Sequence, residues 1–277
     1  MGRPETQRRL IADADDFGLS RPANEAIIRA HREGILTTAS LMVNEPGFEE
    51  AVKLAKANLQ LGVGLHLTLL RGHSTLPPGA ISGLVNSRGE FSGQPVATGF
   101  RYFFRRDLRE PLRAEIHAQF AKFHATGLPL DHVNGHLHLH LHPTIFKILM
   151  EDADKLGIRH LRLTREPFWM DVPLAAGNRL YRSSHAAIYL FLSWRAQSAL
   201  RRKKIRHTDR VFGLLQNARV NEEYLLKLLA ILPSGDSELY SHPSLDKFRH
   251  EFDALASPRV KDQIEKLGIQ LIRYQDL

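Results

Sequence analysis

Apolar runs of strand character alternate with amphipathic helical stretches along nearly the whole chain, and this alternation restricts the fold more than any other feature. RRLIADA (8–14) reads as a buried strand, and a helix follows from near Ser20 to a glycine stop at Gly34. ILTTASLMV (35–43) is a second strand, FEEAVKLAKAN (48–58) an amphipathic helix and LGVGLHLTL (61–69) a third strand. LPLDHVNG (128–135) is a fourth, reached after a long loop and the helix around LRAEIHAQFAKFH (112–124). A helix from Pro143, a strand at RHLRLT (159–164) and a helical stretch from about Ser184 come next. TDRVFGLL (208–215), SELYSHP (237–243) and GIQLIRY (268–274) supply further strands. Such β-α units imply an α/β fold, most simply a distorted (β/α) barrel of about seven or eight mostly parallel strands, TIM-like, with residues 1–277 as one domain. An open doubly wound sheet is the alternative. No Gly-rich phosphate loop follows the first strand, which weakens its nucleotide-binding version.

The absence of cysteine excludes disulfides, thiolate metal sites and cysteine nucleophiles. There is no GxSxG, which argues against a serine esterase. MGRPETQRRL is too polar for a secretory signal, and no apolar run spans a bilayer, so a cytoplasmic protein is expected. MGRPET also fits the loose myristoylation pattern, which carries little weight. A net charge of +8 points to an anionic surface or polymer among its contacts.

Polar residues collect where strands end. Asp15 and Asp16 follow the first strand, Asn44 the second, His66 lies in the third and His136 follows the fourth, with Glu238 and His242 on or after the penultimate one. In a barrel these positions share one rim. Singly, each has a plain structural account: the aspartate pair as a turn or cap, His66 as a hydrogen-bonded core histidine. The stretch DHVNGHLHLHLHP (131–143) holds five histidines. Its alternation with leucine fits a half-buried strand with one polar face. One cation needs only three or four ligands, so most of these imidazoles serve otherwise. Taken together, one carboxylate and two neutral imidazoles make a three-ligand metal site with an open position. A neighbouring carboxylate can accept a proton from water, and a histidine can protonate a leaving group. The reaction class is metal-assisted hydrolysis of an amide or ester.

DADDFGLS (13–20), GLHLTL (64–69), DHVNGHLHLH (131–140) and SHP (241–243) resemble, in order, the motifs of the YdjC-like, or ChbG-like, carbohydrate deacetylases. The resemblance implies a distorted (β/α) barrel that removes N-acetyl groups from amino sugars with one divalent cation, magnesium by resemblance, although zinc, manganese or cobalt suit the same ligands. It implies Asp16, His66 and His136 as metal ligands, Asp15 as general base and His242 as general acid, with Asn44, His138, His140 and Arg165 toward the substrate. His142 is expected to start the next helix. Many relatives have aspartate where this chain has Asn134, which would lend less basicity to a ligand.

EPFWMDVP (166–173), HAAIYLFLSW (185–194) and RAQSALRRKKIRH (195–207) resemble the hopanoid-biosynthesis-associated branch, HpnK, and imply an N-acetylglucosaminyl hopanoid as substrate. Around 184–210 the chain has an insertion in which Ile188, Phe191, Leu192 and Trp194 precede Arg201, Arg202, Lys203, Lys204 and Arg206. That order suits an interfacial helix on the inner face of an anionic membrane; a helix packed on the barrel with a solvated basic end is the alternative. A chito-oligosaccharide deacetylase is the other enzymatic reading, and a non-catalytic sugar- or lipid-binding protein the reading from another class. Nucleic acid is not expected, because the basic run lacks interleaved aromatics.

Overall fold

The computed structural model describes residues 7–171, 179–216 and 218–277, with side chains of 168 and 171–186 left aside. The MGRPET motif and the end of EPFWMDVP therefore lie outside the described residues. Seven parallel strands form one sheet: β1 (Arg8–Phe17), β2 (Thr38–Leu41), β3 (Gly62–Leu67), β4 (Val133–Gly135), β5 (Arg210–Phe212), β6 (Gly235–Ser241) and β7 (Gln270–Leu271). Their order is β4-β3-β2-β1-β6-β5, with β7 paired to the start of β1. Residues 159–165 run between the two edges. The Arg162 amide donates to the Val133 carbonyl at 2.9 Å and the Val211 amide to the Arg165 carbonyl at 3.1 Å. The sheet thereby curls into the expected TIM-like barrel, and RHLRLT contributes isolated bridges rather than a regular strand.

The helices lie outside. Helix α1 (Arg21–Glu33) starts where the Ser20 hydroxyl accepts from the Ala23 amide and stops at Gly34, and Ile27 on its inner stripe is buried. Helices α2 (Phe48–Lys56), α3 (Pro95–Phe104), α4 (Arg109–Ala125), α5 (Pro143–Asp152), α6 (Phe168–Asp171) and α7 (Arg179–Arg202) follow. The stretch read as a long loop before α4 contains α3, whose Pro95 sets the first turn.

Strand residues alternate in an unusual sense. Ala12, Ala14, Ala39, Leu41, Val63, Leu65, Val133, Leu161 and Leu163 are all buried in the apolar cluster between sheet and helices. Their neighbours Asp13, Asp15, Thr38, Ser40, His66, Asn134 and Arg162 hydrogen-bond to one another inside the barrel. Barrel interiors are usually filled with branched apolar side chains. Here the interior is largely polar, with a small apolar cluster of Ile11, Ile272 and Tyr274, and the main apolar core is the shell around it.

Candidate metal centre

The site starts from an irregularity. The β1–β2 register shifts between Ala14 and Phe17, and Asp16 has φ 63°. In a regular strand adjacent side chains face opposite ways. The left-handed residue undoes that alternation, so Asp15 and Asp16 both reach the barrel mouth. Gly18 continues the turn at φ 89°, and a Cβ there would sit 2.8 Å from the Met42 carbonyl. Asn24 fixes the loop by accepting from the Gly18 amide and donating to the Gly47 carbonyl.

His66 arrives from β3 and His136 from the residue after β4. Asp16 Oδ1 lies 3.3 Å from His66 Nε2 and 3.1 Å from His136 Nδ1, and the two ring nitrogens are 3.3 Å apart. His66 Nδ1 faces Asn134 Oδ1 at 2.8 Å and Ser40 Oγ at 3.0 Å. The Asn134 amide nitrogen and the Ser40 hydroxyl both donate to Asp15 Oδ1, so Asn134 presents its oxygen to His66 and Nδ1 carries the proton. His66 Nε2 therefore turns a lone pair toward the other two donors. With His136 Nδ1 unprotonated, three electron pairs would face one point, an arrangement that a cation between them would hold together. Ligands bound at about 2.0–2.1 Å lie roughly 2.8–3.4 Å apart across octahedral and tetrahedral arrangements, a range that includes the spacing found here. Among the described residues these three form the group suited to a metal ion.

Directly beneath sits a residue that motif reasoning passes over. Arg162, fully buried, donates from Nε to Glu238 at 2.7 Å, from Nη1 to Asp15 Oδ2 at 2.8 Å and from Nη2 to Asp13 at 2.6 Å. Its guanidinium also stacks 4.6 Å over Tyr240. Against the cost of burial, Arg162 and then His66 hold the Asp15 carboxyl well below the carboxylate range. The signal was an arginine inside the apolar run RHLRLT, where a cation needs carboxylate partners. Glu238, expected at the rim, instead lies in this buried layer and accepts from the Tyr274 hydroxyl.

The other predicted residues divide. His242 Nε2 is 3.9 Å from Asp15 Oδ2 and its Nδ1 3.9 Å from Glu251, beside the site without a direct hydrogen bond to Asp15. His136–Leu141 is not the half-buried strand expected but a 3₁₀ turn kinked at Leu137 (φ 51°) and His138 (φ 55°). The kink sends successive histidines in different directions. His138 bonds the Tyr240 hydroxyl through Nε2 at 3.0 Å, and His140 Nε2 meets the Arg162 carbonyl at 2.9 Å. Burial, reinforced in both by the nearby guanidinium, depresses His138 well below the imidazole range and His140 to about 3, so both are neutral props. His142 caps α5 by accepting from the Thr144 amide. Asn44 is bonded to the His73 carbonyl and Thr75, and Arg165 to the Asp209 carbonyl, so neither joins the triad.

The fold and the rim thus define a class: an α/β barrel whose mouth gathers a carboxylate and two imidazoles above a buried ionic layer. The chain belongs to the family described as YdjC-like protein, which matches residues 9–266. It is 40% identical to a carbohydrate deacetylase of Brevibacillus brevis over 151 residues, a match covering 54% of this chain and 57% of that relative. A chitooligosaccharide deacetylase of Proteus mirabilis is 30% identical over 97% of this chain and 98% of its own. A crystal structure from Enterococcus faecalis V583 superposes with a TM-score of 0.75 at 26% identity, covering 98% of this chain and 99% of that one.

Proposed function

We propose that the protein is a metal-dependent hydrolase that removes the N-acetyl group from an amino sugar. The convergence of Asp16, His66 and His136 beside an ionised Asp15 carries the reading, and the relatives' deacetylase activities support it. When bound, a divalent cation (magnesium, or zinc, manganese or cobalt) supplies Lewis acidity toward the acetyl carbonyl and acidifies water. Asp15 accepts the water's proton at Oδ2, the oxygen nearest His242. His242 Nε2 delivers a proton to the departing amine, so the amide becomes acetate and a free amino sugar. Asn134 and Ser40 keep His66 in the tautomer that leaves Nε2 unprotonated. A sugar-binding protein without activity would be expected to have lost Asp15 or a member of the triad, and all are present.

The finer reading takes the sugar on a hopanoid, handled from the cytoplasm at the inner face of an anionic membrane, and rests on the resemblance at 166–207. The Proteus relative favours chito-oligosaccharide equally. The test measures acetate release from N-acetylglucosaminyl hopanoid and from diacetylchitobiose, side by side, with each of the four metals and with chelator. Release from either that chelator stops is expected. Release indifferent to chelator, or from neither substrate, overturns the assignment.

A further inference from the structure

Large apolar residues left in solvent are not spread evenly over this molecule. Leu19, Val96, Phe100, Phe103, Phe104, Leu137 and Trp169 follow the carboxyl ends of β1, β3, β4 or the 159–165 segment, on the side of the metal centre. Ile188, Leu190, Phe191 and Trp194 are exposed on α7, and among the described residues only Leu59 and Ile231 lie outside these segments. Exposed apolar groups gathered on one side mark a contact surface.

Two helices carry most of it, and both grip the segment that bears His136. On one side His142 Nε2 bonds the Gly99 carbonyl of α3 at 3.0 Å, and Thr144 donates to the Tyr102 carbonyl. On the other the Tyr189 hydroxyl of α7 donates to the Leu137 carbonyl at 2.9 Å. On α3, Val96, Phe100, Phe103 and Phe104 recur at helical spacing and form one outward stripe, with Phe104 69% exposed. On α7 the exposed positions Ile188, Phe191, Trp194, Arg195, Arg201 and Arg202 likewise share one face, apolar first and cationic afterwards. Among the described residues Arg106, Arg195, Arg201, Arg202, Lys204 and Arg206 have no carboxylate partner. No described helix is long and apolar enough to cross a membrane.

We infer that α3 and α7 together form a docking surface for an anionic lipid bilayer, both anchored to the segment that follows His136. Apolar side chains enter the headgroup boundary, and the unpaired cations meet lipid phosphate. A glycan would need one stacking ring per sugar, and a second copy of the chain would bring a matching cationic face; the pairing of apolar stripes with free cations favours lipid. The inference deepens the membrane side of the proposed function by adding α3, and it requires no turnover.

The test is co-sedimentation of the full chain with phosphatidylcholine vesicles carrying about one third phosphatidylglycerol, against vesicles of phosphatidylcholine alone. The parent is expected to bind the anionic vesicles and scarcely the neutral ones. Phe100→Ser with Phe104→Ser should weaken binding at least tenfold, and so should Phe191→Ser with Trp194→Ser. Replacing Arg201, Arg202 and Lys204 by Gln should cost roughly fivefold per charge. Bound metal per chain and the melting temperature verify that each variant is folded. With Trp169→Phe, Trp194 is the sole tryptophan, and its emission should shift to the blue on anionic vesicles. A parent that ignores anionic vesicles, or an α3 variant that sediments like the parent, overturns the inference. Loss of chito-oligosaccharide affinity or of self-association in the α3 variant, with vesicle binding unchanged, would assign the stripe to sugar or to a second copy. Failure to deacetylate either substrate leaves this binding result independent.

Discussion

Two layers of the barrel use the same vocabulary of carboxylates and nitrogen bases to opposite ends. In the lower layer Arg162 is enclosed by Asp13, Asp15 and Glu238, with each guanidinium nitrogen bonded to one of them. In the upper layer Asp16, His66 and His136 bring one carboxylate oxygen and two ring nitrogens within 3.1–3.3 Å of one another, with no cationic side chain among them. One layer is closed by its own cation. The other has no cationic side chain of its own and is suited to hold a metal ion. The difference teaches that a polar cluster binds a ligand where its donors lack an internal partner, and stabilises the fold where they have one. Asp15 belongs to both layers, since its Oδ2 meets Arg162 while its Oδ1 takes the amide and hydroxyl that orient His66.

The comparison breaks most visibly at Arg162. Arg162→Met should cost about 3–5 kcal/mol or abolish folding, because three buried carboxylates lose their cation. Asp16→Asn, in the absence of metal, should change stability by about 1 kcal/mol or less. Urea unfolding of both variants checks the contrast; equal losses would merge the two layers into one structural network.

Asp15→Asn comes next. It should keep the metal yet lower turnover about 10²–10⁴-fold, since the proton acceptor is removed while the triad stands. Metal content and acetate release, measured on one preparation, separate the two roles. A variant that turns over normally would place the base elsewhere.

Metal should then stabilise the upper layer alone. At about 100 times its dissociation constant, a divalent ion raises stability by roughly 2.7 kcal/mol, visible as a higher melting temperature in the parent. In Asp16→Asn that rise should vanish.

The remaining contrast concerns pH in the lower layer. Burial pushes Asp13 up to about 6, against the pull of His132 and Arg162. The folded chain then holds this proton more tightly than the unfolded chain, whose carboxyl titrates near 3.8. Its contribution is fully present below that value and is lost as pH rises through about 6. Asp13→Asn lacks the loss, so its stability relative to the parent should improve between about pH 4 and 7, as followed by urea midpoints. A constant difference would mean that Asp13 stays ionised throughout.

Much of the upper layer was legible in the sequence. Asp16, His66 and His136 sit just where strand patterns end, and in a parallel barrel such positions share a rim. The lower layer was not legible. IADAD, TAS and HLRLT alternate with period two, but that pattern alone does not say which face meets the helices. Nor could the leucine–histidine alternation of 136–142 reveal that Leu137 and His138 turn left-handed and divert His138 and His140 into the core.

The sequence by itself determined the alternation of strands and helices, the caps at Ser20 and His142 and the order of the rim motifs, because binary pattern and turn chemistry act within a few residues. Only the tertiary structure decided that adjacent Asp15 and Asp16 face the same way, that one histidine of the cluster reaches the triad and that Arg162 closes the layer below. Those outcomes depend on a register shift between strands and on contacts from as far as 149 residues away along the chain, which no local pattern encodes.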